Sequence, residues 1–258
     1  MAIQNHSVDL TQWGEGVTVL QFTSGRRANA MHLALVTELL EITQRLAADE
    51  SLRVLVIRGA GGVFSGGADL GPFLAMEEAE YRTYIQTEFR LFDAIERLPC
   101  ITIAAIQGPC LGNAAQMALA CDYRVASSDS RFGLAETRVG FQGPSDLITK
   151  YVGIGIAKKL LYGGLILTAQ QAEVYGLISE VAPAEGLEER LHVFAAECAA
   201  LPAVAIRITK RNLARAYGGT QEMIDAEIAA SLECYHTSDF REGVSAFFEK
   251  RPAKFRGR

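Results

Sequence analysis

Two glycine-containing loops are the first segments of this chain whose residue types and spacing indicate chemistry. The loops GAGGVFSGGADL (residues 59–70) and QGPCLGNAAQ (residues 107–116) each follow an apolar run typical of a buried strand. Their small residues let a ligand oxygen approach backbone N–H groups directly. The second loop also enters a predicted helix, whose first-turn amides lack acceptors inside the helix and carry the positive end of its dipole. Two N–H groups aimed at one oxygen would form an oxyanion hole.

The carboxylate Glu136 lies in the middle of the next segment rich in small residues and turns, SRFGLAETRVGFQGPSD (residues 130–146), which ends at Asp146. Each feature has an ordinary structural explanation when it is taken alone. Glycine-rich loops are often tight turns, and Glu136 could form a surface ion pair with Arg138. Together, the loops and the carboxylate favour an enzyme that stabilises negative charge on an oxygen and moves a proton nearby.

Motifs for other chemistries are incomplete. The four histidines form no HExxH motif or Cys/His cluster, so a zinc site lacks ligands at usable spacing. A phosphate-binding loop needs Lys and Ser or Thr where this chain has Ala68 and Asp69, and Lys158 replaces the third glycine of a dinucleotide-binding motif. The sequence GPSDL around Ser145 lacks the last glycine of a serine-nucleophile elbow. We therefore predict neither a metal nor a resident cofactor.

The elements that must position these residues alternate between strands and helices. Residues 16–22 and 53–59 have strand patterns, and residues 33–49 between them have apolar residues at helical spacing. Residues 101–108 and 121–127 repeat the strand signal around LGNAAQMALA, a short segment that predicts a buried helix. The pattern predicts an α/β layered core.

Helical patterns dominate after Ile154, and Pro202 marks a junction in the helical part of the chain. We therefore divide the chain into a core over residues 1–194 and a C-terminal helical region over residues 195–258. The tail mixes aromatic and cationic residues, which suits contact with a partner subunit or an anion.

Composition limits the class of protein. The chain has 258 residues, 49% of them hydrophobic, which is enough for one large domain. Asp and Glu exceed Lys and Arg by 30 to 25, so a nucleic acid is not expected as a partner. The five cysteines make no CxxC pair, which suits a reducing compartment. The N-terminal MAIQNHSVDL has no basic or apolar targeting segment, and no apolar run approaches the roughly 18 residues of a membrane span, so we expect a cytoplasmic protein with no membrane partner.

Four segments together resemble a known family. They are FSGGADL (residues 64–70), AAIQGPCLGNAAQMALACDYRVAS (residues 104–127), FGLAETRVGF (residues 132–141) and DFREGVSAFFEKRPAKF (residues 239–255). In this order and spacing they are similar to the crotonase family, also called the enoyl-CoA hydratase/isomerase superfamily. The resemblance implies a spiral of repeated ββα units and a C-terminal helical region that packs trimers, often paired into hexamers. It also implies an acyl-CoA thioester as substrate, with coenzyme A present only as part of that substrate.

The resemblance assigns roles to residues of this chain. The backbone N–H groups of Ala68 and Asn113 would hold the thioester oxygen while the α-carbon gains enolate character. Hydratases of the family usually carry two glutamates that face one water, and here the first of these positions is Gln116 and the second is Glu136. Glutamine can orient a water but cannot take its proton. We therefore expect Glu136 to be a single acid/base, which is sufficient for double-bond isomerisation and leaves hydration as the close alternative.

The resemblance further implies a set of residues that contact the thioester. They are Arg26, Arg27 and Ala28 at the adenine and phosphates, Gly67 and Gly112 beside the oxyanion donors, Asp69 and Leu70 along the pantetheine, and Phe248 and Lys250 at the ligand of a neighbouring subunit. Two other functions are retained as alternatives. One is a thioester hydrolase or decarboxylase that uses Ser145 and Asp146, and the other is a noncatalytic acyl-CoA-binding protein.

Overall fold

The computed structural model describes residues 7–217 and 220–257. Residues 1–6, on which part of the prediction about targeting rests, lie outside this range. Within it, the strands are β1 (Val8–Gly14), β2 (Val17–Phe22), β3 (Val54–Gly59), β4 (Ile101–Ile106), β5 (Pro109–Leu111), β6 (Tyr123–Ser127), β7 (Arg131–Gly133), β8 (Ile166–Thr168) and β9 (Glu180–Ala182). The α-helices are α1 (Leu33–Leu46), α2 (Glu78–Glu96), α3 (Asn113–Ala120), α4 (Ser145–Thr149), α5 (Ile154–Gly163), α6 (Ala169–Val174), α7 (Leu187–Ala199), α8 (Ala203–Tyr217), α9 (Gln221–Tyr235) and α10 (Ser238–Glu249).

The strands form two sheets that the chain visits in turn. The larger sheet has the order β1-β2-β3-β4-β6-β9 and is parallel except for the β1–β2 pair, and the smaller sheet has the order β5-β7-β8. The unit β4–β5–α3 therefore places one strand in each sheet before its helix, and β6–β7 repeats the two-strand step. This is the predicted winding of ββα units.

The central strands are buried on both faces, as their continuous apolar runs predict. In β3, Val54 and Val56 pack in the core under α7, whereas Leu55 and Ile57 point into the larger core on the opposite face. β4 is buried along its whole length. The predicted strands and the helix α1 all appear within a few residues of their predicted limits.

The sequence pattern did not predict two kinds of strand. β1 lies at the edge of the sheet and is largely exposed, so its sequence VDLTQWG shows no core-facing pattern. The strands of the smaller sheet and β9 of the larger sheet have three residues each, which is too short for a periodic signal.

The C-terminal helices differ in how they pack. α7 covers β2, β3, β4 and β6, and the predicted division between residues 194 and 195 falls inside this helix. α9 and α10 contribute Ile228, Leu232, Phe240 and Val244 to the same core as the spiral, whereas α8 is mostly exposed. α10 also packs on the short 3₁₀ helix Glu136–Val139, which carries the predicted catalytic carboxylate.

The described residues contain no long apolar helix and no cluster of metal-ligating side chains. No single helix in this part of the chain is long and apolar enough to cross a membrane; the segments Ala184–Ala199 and Ala203–Tyr217 meet the length and composition test only as a pair bent by 96°. Across residues 7–217 and 220–257, no three His, Cys, Asp or Glu side chains are grouped so that they could hold a metal ion.

Candidate active site

The two glycine-containing loops lie side by side. The Ser65 N–H donates to the carbonyl of Pro109 at 3.0 Å, and the Leu111 N–H donates to the carbonyl of Ser65 at 3.2 Å. These bonds form a short parallel bridge between the loop after β3 and the loop after β4. The structure thus brings together the two loops that the sequence singled out.

The N–H of Ala68 is free to bind a ligand. The carbonyl of Gly67 accepts a hydrogen bond from Met31 N–H at 2.8 Å, and the Asp69 N–H donates to the carbonyl of Met31 at 3.0 Å. Because successive N–H groups of an extended chain point to opposite sides, the Ala68 N–H points away from Met31. Among the described residues it has no acceptor. Gly67 permits this arrangement, because its φ is +105° and a Cβ there would lie 2.8 Å from the carbonyl oxygen of Leu111.

The second donor is the first residue of α3. Gly112 has φ +56° and ψ −131°, a conformation open mainly to glycine, and it turns the chain from β5 into α3. The N–H of Asn113 therefore lies in the first turn of α3, where the helix itself supplies no acceptor. Both predicted oxyanion donors border one cavity.

This cavity has a volume of about 340 Å³ and lies between the two loops, α2 and the 3₁₀ helix Glu136–Val139. Its apolar wall includes Phe73, Ile85, Phe89 and Phe141. The predicted site residues that line it are Gly67, Ala68, Leu70, Gly112, Asn113, Gln116 and Glu136. A cavity with an apolar wall and a few convergent polar groups suits a small acyl group.

Glu136 has one partnered and one free carboxylate oxygen. Gln116 Nε2 donates to Glu136 Oε1 at 2.9 Å, whereas Oε2 is buried and has no partner among the described residues. Burial of the carboxyl group raises the pKa of Glu136 to about 7, although hydrogen bonds from its own backbone and from Gln116 oppose the rise. Near neutral pH the group can therefore act both as a base and as an acid.

A second carboxylate, Glu88 of α2, lines the same cavity. Glu88 is only 6% exposed, and Asn113 Nδ2 donates to its Oε1 as well as to the hydroxyl of Tyr84. Burial raises the pKa of Glu88 to about 7, against hydrogen bonds from Tyr84 and Asn113, and the charge of Glu136 adds to the rise. The cavity therefore holds a carboxylate besides Glu136 that the sequence reasoning did not select, and the role of Glu136 as a single acid/base stays a prediction.

The sequence does contain a signal for Glu88. The buried face of α2 carries Tyr81, Ile85, Phe92 and Ile95 at helical spacing, and Glu88 falls in the middle of this stripe. An acidic side chain on the buried face of an amphipathic helix is rarely fully buried without a partner. The sequence reasoning did not select Glu88, although its position on this stripe could have identified it as a candidate.

The residues predicted at the adenine and phosphates of coenzyme A do not line the cavity. Arg26, Arg27 and Ala28 are exposed, and Arg26 Nε is 3.8 Å from Asp69 Oδ2. The carbonyl of Ala28 accepts a hydrogen bond from Gly66 N–H at 2.7 Å, so this segment borders the loop that carries Ala68. Two cations at the rim of the cavity suit phosphate groups, and their role stays a prediction.

The C-terminal residues Phe248 and Lys250 are exposed. Phe248 lies close to Gly71 of its own chain. A Cβ on that glycine would lie 4.0 Å from Phe248 Cζ. Phe247, which the sequence reasoning did not select, lines the cavity of its own chain. Contact of Phe248 and Lys250 with a neighbouring subunit's ligand stays a prediction.

The model of the enoyl-CoA hydratase/isomerase family matches residues 12–258. The chain belongs to this family. It is 34% identical over 256 residues to enoyl-CoA hydratase domain-containing protein 2, mitochondrial, of Homo sapiens, a match that covers 95% of this chain and 87% of that protein. It is 31% identical over 252 residues to crotonyl-CoA hydratase of Syntrophomonas wolfei, covering 93% of this chain and 95% of that protein.

A solved structure confirms the fold of this enoyl-CoA hydratase/isomerase family member. An enoyl-CoA hydratase from Mycobacterium avium subsp. paratuberculosis superposes with a TM-score of 0.85 at 28% identity, covering 97% of this chain and 99% of the other. The α/β crotonase fold with C-terminal helices, predicted from the sequence motifs, is therefore correct. The protein is an acyl-CoA enzyme of the hydratase/isomerase family.

Proposed function

We propose that this enzyme moves the double bond of an enoyl-CoA, with Glu136 as the acid/base and the N–H groups of Ala68 and Asn113 as the oxyanion hole. One observation carries the proposal. The free, buried Oε2 of Glu136 belongs to a cavity that both amides border, so a proton acceptor and two donors face one space. Proton transfer at a carbon beside a thioester needs this combination.

The geometry supports a sequence of two proton transfers. The thioester oxygen of a 3-enoyl-CoA accepts hydrogen bonds from Ala68 and Asn113. Ionised Glu136 removes a proton from C2, and the electron pair of the C–H bond delocalises over the thioester oxygen and the C3–C4 double bond. A proton delivered to C4 then leaves the double bond between C2 and C3, and no atom is gained or lost. Each amide donor contributes about 2.7–4 kcal/mol of transition-state stabilisation in comparable sites.

Gln116 supports this chemistry as a positioning residue. Its bond to Oε1 fixes one oxygen of Glu136 and leaves Oε2 for the substrate. Because an amide takes no proton near neutral pH, Gln116 cannot serve as a second base.

Hydration of a 2-enoyl-CoA is the second candidate, and Glu88 is the observation that favours it. Two carboxylates in one cavity can hold and deprotonate a water even though Gln116 occupies the usual first position. The relatives named as hydratases agree with this alternative.

The hydrolase or decarboxylase alternative has less support. Among the described residues that line the cavity, neither Ser145 nor Asp146 is present. The Ser145 hydroxyl instead donates to the carbonyl of Gly143 at 3.3 Å. A purely binding role is disfavoured by the unpartnered oxygen of Glu136, because a buried acceptor without a partner costs about 1–3 kcal/mol in a folded protein.

The deciding experiment uses trans-3-enoyl-CoA and trans-2-enoyl-CoA in water labelled with oxygen-18. A conjugated 2-enoyl product without label identifies an isomerase, and a labelled 3-hydroxyacyl product identifies a hydratase. Glu136→Gln should lower kcat by about 10²- to 10⁴-fold in either case. The matched control Glu189→Gln, at an exposed glutamate of α7, should keep the wild-type rate. Unchanged turnover in Glu136→Gln would exclude the proposed role.

We also propose a cytoplasmic homotrimer, alone or paired into a hexamer. The support is the exposed apolar set on α8, which consists of Val204, Ile208, Leu213 and Tyr217. At 3.6 residues per turn, Val204 and Ile208 lie on one face of α8, and Leu213 and Tyr217 lie on the opposite face. Exposed apolar side chains on both faces of a helix are typical of contact with another subunit. The five free cysteines, four of them buried, suit a reducing compartment. Sedimentation equilibrium would contradict the proposal if it gave a monomer.

A further inference from the structure

We propose that Glu88 is a second acid/base group of this site and donates the proton that C4 receives. The inference rests on the proposed function, because it divides the two proton transfers between two carboxylates. Glu136 removes the C2 proton, and Glu88 supplies the other.

The position of Glu88 carries the proposal. Its carboxylate is buried, lines the cavity and accepts a hydrogen bond from the side chain of Asn113, whose backbone N–H is one oxyanion donor. Glu88 therefore reaches the cavity from α2, while Glu136 reaches it from the 3₁₀ helix Glu136–Val139, so the two carboxylates enter from different elements. Asn113 holds one oxygen of Glu88, as Gln116 holds one oxygen of Glu136.

The absence of a counter-ion gives the two carboxylates different protonation states. No described Lys, Arg or His side chain forms an ion pair with Glu88 or Glu136. Two buried carboxylates that interact cannot both ionise easily, so the first loss of a proton hinders the second. Near neutral pH the pair therefore holds one proton, which supplies one base and one acid.

The other titratable groups near the pair do not change this assignment. Tyr81 and Tyr84, on the same helix, have pKa values raised by burial and stay protonated. Glu227 of α9 raises the pKa of Glu136 further. Arg138 lines the cavity but is exposed.

The divided mechanism leaves a signature in the product. Glu136 takes hydrogen from C2, the double bond shifts, and the new C4–H bond takes its proton from Glu88. The turnover ends with Glu136 protonated and Glu88 ionised, and exchange with water returns each to its starting state. The hydrogen at C4 is therefore derived from water. A single carboxylate that serves both carbons would instead carry the hydrogen of C2 to C4.

The test follows deuterium at C4 during isomerisation of trans-3-enoyl-CoA in D₂O, at low conversion and by mass spectrometry. We expect wild type to place solvent deuterium at C4 in most turnovers. Glu88→Gln keeps an acceptor for Asn113. The kcat of this variant should be lower by about 10²-fold, and a larger share of its product should carry the original C2 hydrogen at C4. The matched control Glu80→Gln, at an exposed residue of α2, should behave as wild type.

The outcomes separate this inference from the proposed function. If Glu136→Gln is inactive while Glu88→Gln equals wild type in rate and label, Glu88 is not a proton donor and the proposed function stands. If Glu136→Gln is fully active, the proposed function fails. Wild-type protein alone gives a check that needs no folded variant, because retention of C2-deuterium at C4 in ordinary water would overturn the role of Glu88.

Discussion

Gln116 Nε2 holds Oε1 of Glu136 at 2.9 Å and thereby leaves Oε2 buried without a partner. The bond joins the first turns of α3 to the 3₁₀ helix Glu136–Val139, which α10 covers from outside. A carboxylate fixed at one oxygen loses little freedom when the other binds a proton or substrate. The residue that departs from the two-glutamate pattern thus forms a hydrogen bond to the remaining glutamate.

Replacing this donor by a carboxylate should change the pH dependence of the enzyme. In Gln116→Glu, two carboxyl groups would meet where an amide now donates, and like charges at this distance share one proton. The pKa for loss of the shared proton rises. The acidic limb of the kcat/KM profile should therefore move up by about one pH unit or more, and the rate at pH 7 should fall about tenfold. A pH–rate series checks this, with Gln86→Glu on the exposed face of α2 as control. Coincident profiles for the two variants would contradict the positioning role.

The oxyanion hole should fail when the two loops are pushed apart. Gly67→Ala places a Cβ 2.8 Å from the carbonyl oxygen of Leu111 at a φ of +105°, which displaces the neighbouring Ala68 N–H. We expect a loss of about 1–3 kcal/mol in stability and of about 10²-fold in kcat. The control is Gly155→Ala in α5, where a Cβ would have no neighbour within 4 Å and stability should rise by about 0.5–1 kcal/mol. Steady-state kinetics and urea denaturation measure both variants, and an unchanged kcat in Gly67→Ala would argue against Ala68 as a donor.

The two buried carboxylates should lower stability as pH rises. The pKa of Glu88 is about 7 in the folded protein against an ordinary value of 4.5, so below pH 4.5 both states hold the proton. Between these values the unfolded chain releases the proton first, which favours unfolding, and above pH 7 the cost is constant. Glu88→Gln removes this cost. The free energy of unfolding of the variant minus that of wild type should therefore rise by about 3 kcal/mol from pH 4.5 to pH 8. Urea denaturation at the two pH values tests this, and parallel changes in both proteins would contradict it.

Arg26 should affect substrate binding and leave the chemical step unchanged. Its side chain is exposed and 3.8 Å from Asp69, at the rim of the cavity, where a phosphate of coenzyme A is expected. Arg26→Ala should raise KM by about 3- to 10-fold with kcat unchanged, because one exposed charge contributes about 1 kcal/mol. The effect should shrink at high salt and with a thioester of dephospho-CoA. Equal KM values for Arg26→Ala and the control Arg90→Ala, on the exposed face of α2, would exclude the contact.

The amino-acid sequence by itself determined the family and the central strands, and it singled out Glu136, which lines the cavity. Continuous apolar runs define β3 and β4 because both faces of these strands are covered. The loops before Ala68 and Asn113 are recognisable because glycine is needed where the backbone adopts a positive φ or approaches another loop closely. Such constraints act within a few residues, so they leave a local pattern in the sequence.

The tertiary structure alone decided which side chains meet in the site. Asn113 contacts Glu88 across 25 residues of sequence, and Gln116 contacts Glu136 across 20. The stripe on α2 placed Glu88 on a buried face but gave no sign of its partner, because that partner is supplied by α3. Contacts of this kind depend on how separate elements pack, and that packing brought a second carboxylate into a cavity where the sequence motifs predicted one.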